Sequence, residues 1–155
     1  MPTFFLAHGS PMSAIENNYF VEDWHSIHKD TPTPSAIVVI SAHWHVPGIR
    51  ITANEFPKTI HDFGGFPQAL FDKQYPAPGS PKLAEALAAT LNAQGFKAKT
   101  DLSWGLDHGT WALLVHLYPK ADIPVLQISM DLQEDDLTYH SGIGEALKAL
   151  REQGV

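Results

Sequence analysis

A chain of 155 residues, 44% hydrophobic and 17% charged, is long enough to bury a core and lacks the composition of a disordered polypeptide. Its net charge of -7, without any cluster of Lys or Arg, excludes the electrostatic footprint of a nucleic-acid or anionic-membrane binder. The absence of cysteine excludes disulfides, thiolate metal sites and a cysteine nucleophile, and no apolar run approaches the about 20 residues of a membrane span.

Thr3 to Ala7 is a continuous apolar run that predicts a short buried strand ending on His8. Phe20, Val21, Trp24 and Ile27 have helical spacing, so a helix is expected from Tyr19 to Lys29, broken by Thr31-Pro32-Thr33-Pro34. Ala36 to Ser41 is the clearest strand, and it runs into Ala42-His43-Trp44-His45. After the Pro47-Gly48 turn, the alternation of Ile49, Ile51 and Ala53 suggests a hairpin or edge strand. The segment 59–81, rich in Gly, Pro and aromatics, is too long for a simple connection and marks a functional loop.

Ser80 as N-cap and Pro81 in the first turn open a helix whose apolar face is Leu83, Leu87 and Leu91, closed by Gly95. A strand over Phe96–Thr100, a polar loop over Asp101–Gly109 and a short apolar helix over Thr110–Tyr118 follow. The chain ends with a strand over Pro124–Met130 and an amphipathic helix over Gln133–Gln153. Alternating strands and helices define an α/β fold: one domain, residues 1–155, with a mostly parallel or mixed central sheet flanked by helices. The single residue after Gly154 leaves no room for the next strand of the pattern, so the sheet is expected to be incomplete at the C-terminus.

Nine histidines are two to three times ordinary usage, and several sit where ligands bind in such folds, beyond strand ends. His8 in AHGSP and His43 in SAHWH form a natural imidazole pair for a divalent metal, with His45 a wet neighbour. His61-Asp62 in IHDFGGFP and Asp107-His108 in WGLDHGTW each join an acid to a histidine among glycines and large aromatics, as in the wall of a pocket for a flat apolar ligand. There a carboxylate can fix a tautomer and a histidine can exchange a proton with a bound hydroxyl, or the aspartates can simply cap loops. His25, His28, His116 and His140 fall on expected helices and are assigned to surface or interhelical positions. Gly9-Ser10-Pro11 is neither a phosphate loop nor a nucleophile elbow.

AHGSPM, VVISAHW, TIHDFGGFPQALFDKQYPAPGSP, WGLDHGTW and YPKADIPVLQIS together resemble the class III extradiol ring-cleavage dioxygenases. The resemblance is to the DOPA 4,5-dioxygenase-like branch of the protocatechuate 4,5-dioxygenase β-subunit superfamily. It implies that His8 and His43 are metal ligands and that His108 contacts the substrate, and His108 and His61, the latter in a family motif near the pocket, are taken as the catalytic histidines that orient and proton-couple the diol. It also implies an oxidoreductase that uses Fe(II), with Zn(II) possible in the same site, to open a catechol-type ring with O2. Chains of the family continue further and supply another histidine and the remaining ligand, so the 155 residues are expected to be part of a split enzyme completed by a second polypeptide, a truncated product, or a relic completed by an oligomer partner, and alone to be at best a weak metal binder and inactive. Two other classes share the paired histidines: a zinc-dependent hydrolase using Asp62 or Asp107 as base, and a non-catalytic metal-binding or assembly module. A soluble, cytoplasmic protein is expected throughout.

Overall fold

The computed structural model describes residues 1–155, the side chain of His28 excepted, so the expectation for His28 lies outside the described residues. Four strands, β1 (Ile37–Val46), β2 (Ile49–Thr52), β3 (Ala98–Asp101) and β4 (Val125–Asp131), form one mixed sheet in the order β1-β4-β2-β3. β1 runs parallel to β4, β2 parallel to β3, and β2 antiparallel to β4. Five α-helices surround it: α1 (Tyr19–Asp30), α2 (Gln68–Phe71), α3 (Pro81–Ala93), α4 (His108–Leu117) and α5 (Leu137–Leu147).

Side-chain alternation along the strands divides the interior in two. Ile37, Val39 and Val125 pack with Val21 and Trp24 of α1 and with Trp111, Leu114 and Leu117 of α4. Val38, Leu126 and Ile128, with Ile49 and Ile51, meet Leu87 and Leu91 of α3 and Ile143 of α5 on the other face. Each fully buried Leu or Ile stabilises the fold by about 1.5–3 kcal/mol relative to exposure, so the two layers hold the sheet from both sides. This is the expected α/β architecture with a mixed sheet.

Local signals act where they were expected. Ser80 Oγ accepts from Leu83 N–H at 3.4 Å at the start of α3, Pro81 occupies its first turn, and Gly95 takes a positive φ of 90° just past its end. α5 is shorter than the expected helix. It begins at Leu137, where Asp136 caps the Thr138 N–H, and passes at Lys148 into 3-10 turns that end at Gly154.

Three expectations change. Thr3–Ala7 is not a strand: a ladder needs a partner, none of the described residues offers one, and Phe5 is wholly exposed. β2 is neither a hairpin partner of β1 nor an edge strand, because β4 inserts beside β1 and β2 lies between β4 and β3, with Ile49 and Ile51 fully buried. β1 does not stop before the histidines but continues to Val46. Its pairing with β4 slips between Ile40 and His45, five residues of β1 passing what two residues, Ile128 to Met130, cover on β4. Ser41 to Trp44 therefore lie in a bulge, a device that re-aims side chains near sites. The loop 59–81 carries α2 and is tied to the loop before α4 by a bridge between Thr59 and Leu106.

Candidate metal centre

The bulge of β1 sets His43 and Trp44 on opposite sides. Trp44 is buried and stacks on Trp104, ring centroids 5.4 Å apart and planes 7° from parallel, while His43 turns to the other face. His8 arrives from the N-terminal segment, at a corner made by Gly9 with a positive φ of 63° and by a 3-10 turn over Pro11–Ala14 capped by Ser10. His108 is the first residue of α4. The three rings converge: centroids lie 4.9 Å apart for His8 and His43, 4.8 Å for His8 and His108, and 4.1 Å for His43 and His108. One nitrogen from each falls within 4.8 Å of the others.

Electrostatics prepare the rings for a cation. His8 Nε2 and His43 Nε2 are 2.8 Å apart, and His8 Nδ1 is buried without a hydrogen-bond partner. Burial, then the nearby His108 and His43, holds His8 below the ordinary histidine value and so in the neutral form that binds metals. Asp62 Oδ1 accepts from both the ring Nδ1 of His108, at 2.8 Å, and its backbone N–H, at 3.0 Å. With Nδ1 so engaged, the tautomer of His108 is fixed and Nε2 carries the free lone pair. Burial opposes ionisation of Asp62, but these bonds from His108 outweigh it and hold the carboxyl below its ordinary range. Three converging imidazoles, with His8 held in its neutral form by burial, fit a divalent cation with nitrogen preference.

The acid–histidine pairs are crossed relative to their order in the chain. Asp62 serves His108, not its neighbour His61, and Asp107 does not touch His108 through its side chain. Asp107 is instead fully buried beneath the centre, where burial pushes its carboxyl up against the opposing pull of Ser41 and Gln127. His61 stands apart from the three rings. Its Nε2 donates to the Lys73 carbonyl at 2.9 Å, and Phe63 lies between, 5.7 Å from His61 and 5.4 Å from His108. Phe63, Phe66, Phe71 and Trp111 make an aromatic wall beside His108. Of the other histidines, His45 and His25 are exposed, His116 donates to the Ser13 carbonyl at 2.8 Å, and His140 to the Glu134 carbonyl at 2.9 Å.

Sequence reasoning passed over Ser41, Gly109 and Gln127. Gln127 had a signal: it is a lone amide inside the apolar run Val125–Ile128 and is fully buried. Gly109 had none, since only the fold brings it against His43.

The depressed pKa of His8 has a consequence for stability. The unfolded chain takes up a proton near the ordinary value of 6.5 while the folded chain resists it, so acidification below about 6.5 lowers the stability of the metal-free protein. Urea titrations at pH 7 and pH 5 should show the wild type losing stability relative to His8→Asn. The opposing contribution of Asp107 is common to both proteins and cancels in the comparison.

Residues 2–154 match the family described as the catalytic LigB subunit of aromatic ring-opening dioxygenase. The chain is 48% identical over 155 residues to a 4,5-DOPA dioxygenase extradiol of Escherichia coli strain K12, an alignment covering 100% of this chain and 56% of that protein. It is 43% identical over 158 residues to the protein of the same name from Beta vulgaris, covering 99% of this chain and 58% of the relative. The crystal structure of an uncharacterized protein from Escherichia coli K12 superposes with a TM-score of 0.72 at 38% identity, over 90% of this chain and 51% of that one. The chain thus spans somewhat more than half the length of these curated relatives. A bulged strand, a glycine corner and a helix start that bring three histidines together are features of a chain that belongs to the family of the catalytic LigB subunit of aromatic ring-opening dioxygenases.

Proposed function

We propose that the chain provides the metal centre of an extradiol dioxygenase that opens a catechol-type, DOPA-like aromatic ring with O2. The observation that carries this reading is the convergence of His8, His43 and His108 beside an aromatic wall. In this reading His8 and His43 hold the metal, Fe(II) for activity, with Zn(II) accommodated by the same nitrogens. Iron(II), when bound, supplies the Lewis-acid and redox chemistry that lets O2 react with an aromatic ring.

The residues of the chain do the rest. Nε2 of His108, its lone pair freed by Asp62, accepts a proton from a diol oxygen. Phe63 and Phe66, backed by the buried Trp111, present faces and edges to a flat ring and exclude water from it, and His61 belongs to that wall. Two imidazoles, those of His8 and His43, leave the remaining positions around a cation for the diol, for O2, or for a donor from a second polypeptide or a second copy. Among the described residues no helix is long and apolar enough to cross a membrane, and a cytoplasmic location belongs to the same proposal.

The hydrolase alternative is disfavoured by the carboxylates. Asp62 is held on His108, and Asp107 is sealed among Ser41 and Gln127, so neither stands free to act as a base on a metal-bound water.

The test is anaerobic reconstitution with Fe(II), addition of DOPA or catechol, and admission of O2. With the completing polypeptide or second copy present, the expected result is a yellow ring-opened semialdehyde with one O2 consumed per ring. Iron bound with neither colour nor oxygen uptake would instead make the chain a non-catalytic metal-binding module, and no metal bound would sink both readings.

A further inference from the structure

We infer that Asp107 and Gln127 act as positioning residues that lock His43 and His108 at their mutual spacing through a one-way hydrogen-bond chain beneath the metal centre. The inference rests on the reading that these histidines serve a metal.

The chain of bonds joins three separate elements. Ser41 Oγ accepts from the His43 N–H at 3.2 Å and donates to Asp107 Oδ1 at 2.8 Å, which ties the β1 bulge to the residue before α4. Gln127 Nε2 donates to the other carboxylate oxygen of Asp107. Gln127 Oε1 accepts from the Asp107 N–H at 3.1 Å and from Thr110 Oγ1 at 2.8 Å, so the same amide grips both sides of the α4 N-terminus. The Gln127 backbone N–H donates to Thr52 Oγ1 at 2.8 Å, fastening β4 to β2 at this level. Ser41, Thr52, Asp107, Thr110 and Gln127 are all at most 2% exposed, so water cannot substitute for any of these partners.

The donor and acceptor roles are forced. Ser41 has a single hydroxyl proton and uses it toward Asp107, since its oxygen is already the acceptor for His43 N–H. Gln127 must aim its oxygen at the Asp107 N–H and the Thr110 hydroxyl, which aims its NH2 at the carboxylate. Both carboxylate oxygens of Asp107 are therefore acceptors. An amide in place of the acid sets its NH2 either against the Gln127 NH2 or against Ser41 Oγ, and in the second case the Ser41 hydroxyl proton loses its buried acceptor. The network has one satisfactory arrangement, and that arrangement places the backbone of His43 against the first turn that carries His108. Gly109 closes the arrangement from the other side: a Cβ there would lie 2.6 Å from His43 Cδ2, 3.0 Å from Ser41 Oγ and 3.2 Å from Asp107 Oδ1.

The same ledger supplies a rescue. In Asp107→Asn combined with Gln127→Glu, the NH2 of residue 107 donates to the carboxylate of residue 127, which still accepts from the backbone N–H and Thr110. The acid and amide have exchanged places, and every bond is remade with its direction reversed only between the two side chains.

The test uses the 155-residue chain with Zn(II) and Co(II) as probes, read by competition titration, by the visible absorption of bound Co(II), and by far-UV circular dichroism and melting temperature. Asp107→Asn and Ser41→Ala are expected to weaken Zn(II) binding by about 10- to 100-fold, the range for lost outer-shell partners of metal-bound histidines, and to shift the Co(II) spectrum. The double exchange is expected to return both affinity and spectrum to wild type. Wild-type affinity in both single variants, or failure of the double exchange to restore it in a folded protein, would overturn the inference. If Asp107→Asn does not fold, Ser41→Ala and the double exchange decide the matter. A wild-type chain that binds neither metal overturns the proposed metal centre itself, a result read without any variant.

Discussion

His43→Ala should abolish tight metal binding while leaving the fold in place. The His43 side chain is exposed on the bulge of β1 and contributes no core packing, whereas Trp44 beside it is buried on Trp104 and anchors the strand. If a zinc-type site has about 10–16 kcal/mol of binding free energy spread over four ligands, one ligand accounts for roughly 2.5–4 kcal/mol, or two to three orders of magnitude in affinity. Competition titration with Zn(II) measures this, and a melting temperature of the metal-free variant close to wild type confirms that the loss is local. Unchanged metal content would remove His43 from the centre.

Gly109→Ala should separate metal affinity from stability in the opposite way to a core mutation. On helix propensity alone, alanine inside α4 would stabilise by up to about 1 kcal/mol. The added Cβ would instead sit 2.6 Å from His43 Cδ2, with Ser41 and Asp107 close behind and unable to give way inside their buried network. The movable neighbour is the His43 ring. Overpacking of this kind costs about 1–3 kcal/mol, which the helix preference partly offsets, so the net loss of stability should be small. The displaced ring should lower Zn(II) affinity by about tenfold or more, as outer-shell disturbances of metal-bound histidines do. Unfolding in urea and metal titration on the same variant check the two halves. Wild-type affinity would show that the glycine matters only for packing.

The elements legible in the sequence were those whose signals are local. Ser80 and Pro81 opening α3, Gly95 closing it, and the apolar spacing of α1 act within a turn or two of chain, and the structure places these elements within a few residues of their expected bounds. Thr3–Ala7 was misleading because an apolar run reports a wish for burial, while a strand exists only where another strand offers a ladder. β2 was misplaced for a related reason. Alternation states that one face is buried, but which strand lies beside it depends on β4, about 75 residues further along.

The histidines divide in the same manner. Composition and motif placed His8, His43, His61 and His108 in view, and the family resemblance pointed to the first two as ligands. Their grouping was not legible. The structure brings His108 to His8 and His43 and leaves His61 on the far side of Phe63. It also crosses the acid–histidine pairs, since side chains adjacent in the chain point apart while Asp62 and His108, 46 residues apart, meet at 2.8 Å.

The amino-acid sequence by itself determined the α/β class, the nitrogen-and-oxygen character of any metal site, and the histidines available to build it, because these follow from residue identity and short-range spacing. The tertiary structure alone decided the order of the strands, the bulge that turns His43 toward His8, and the buried network of Asp107 and Gln127 that holds the centre from below. Those features depend on contacts between segments far apart in the chain, where packing and the one-to-one matching of donors with acceptors select a single arrangement.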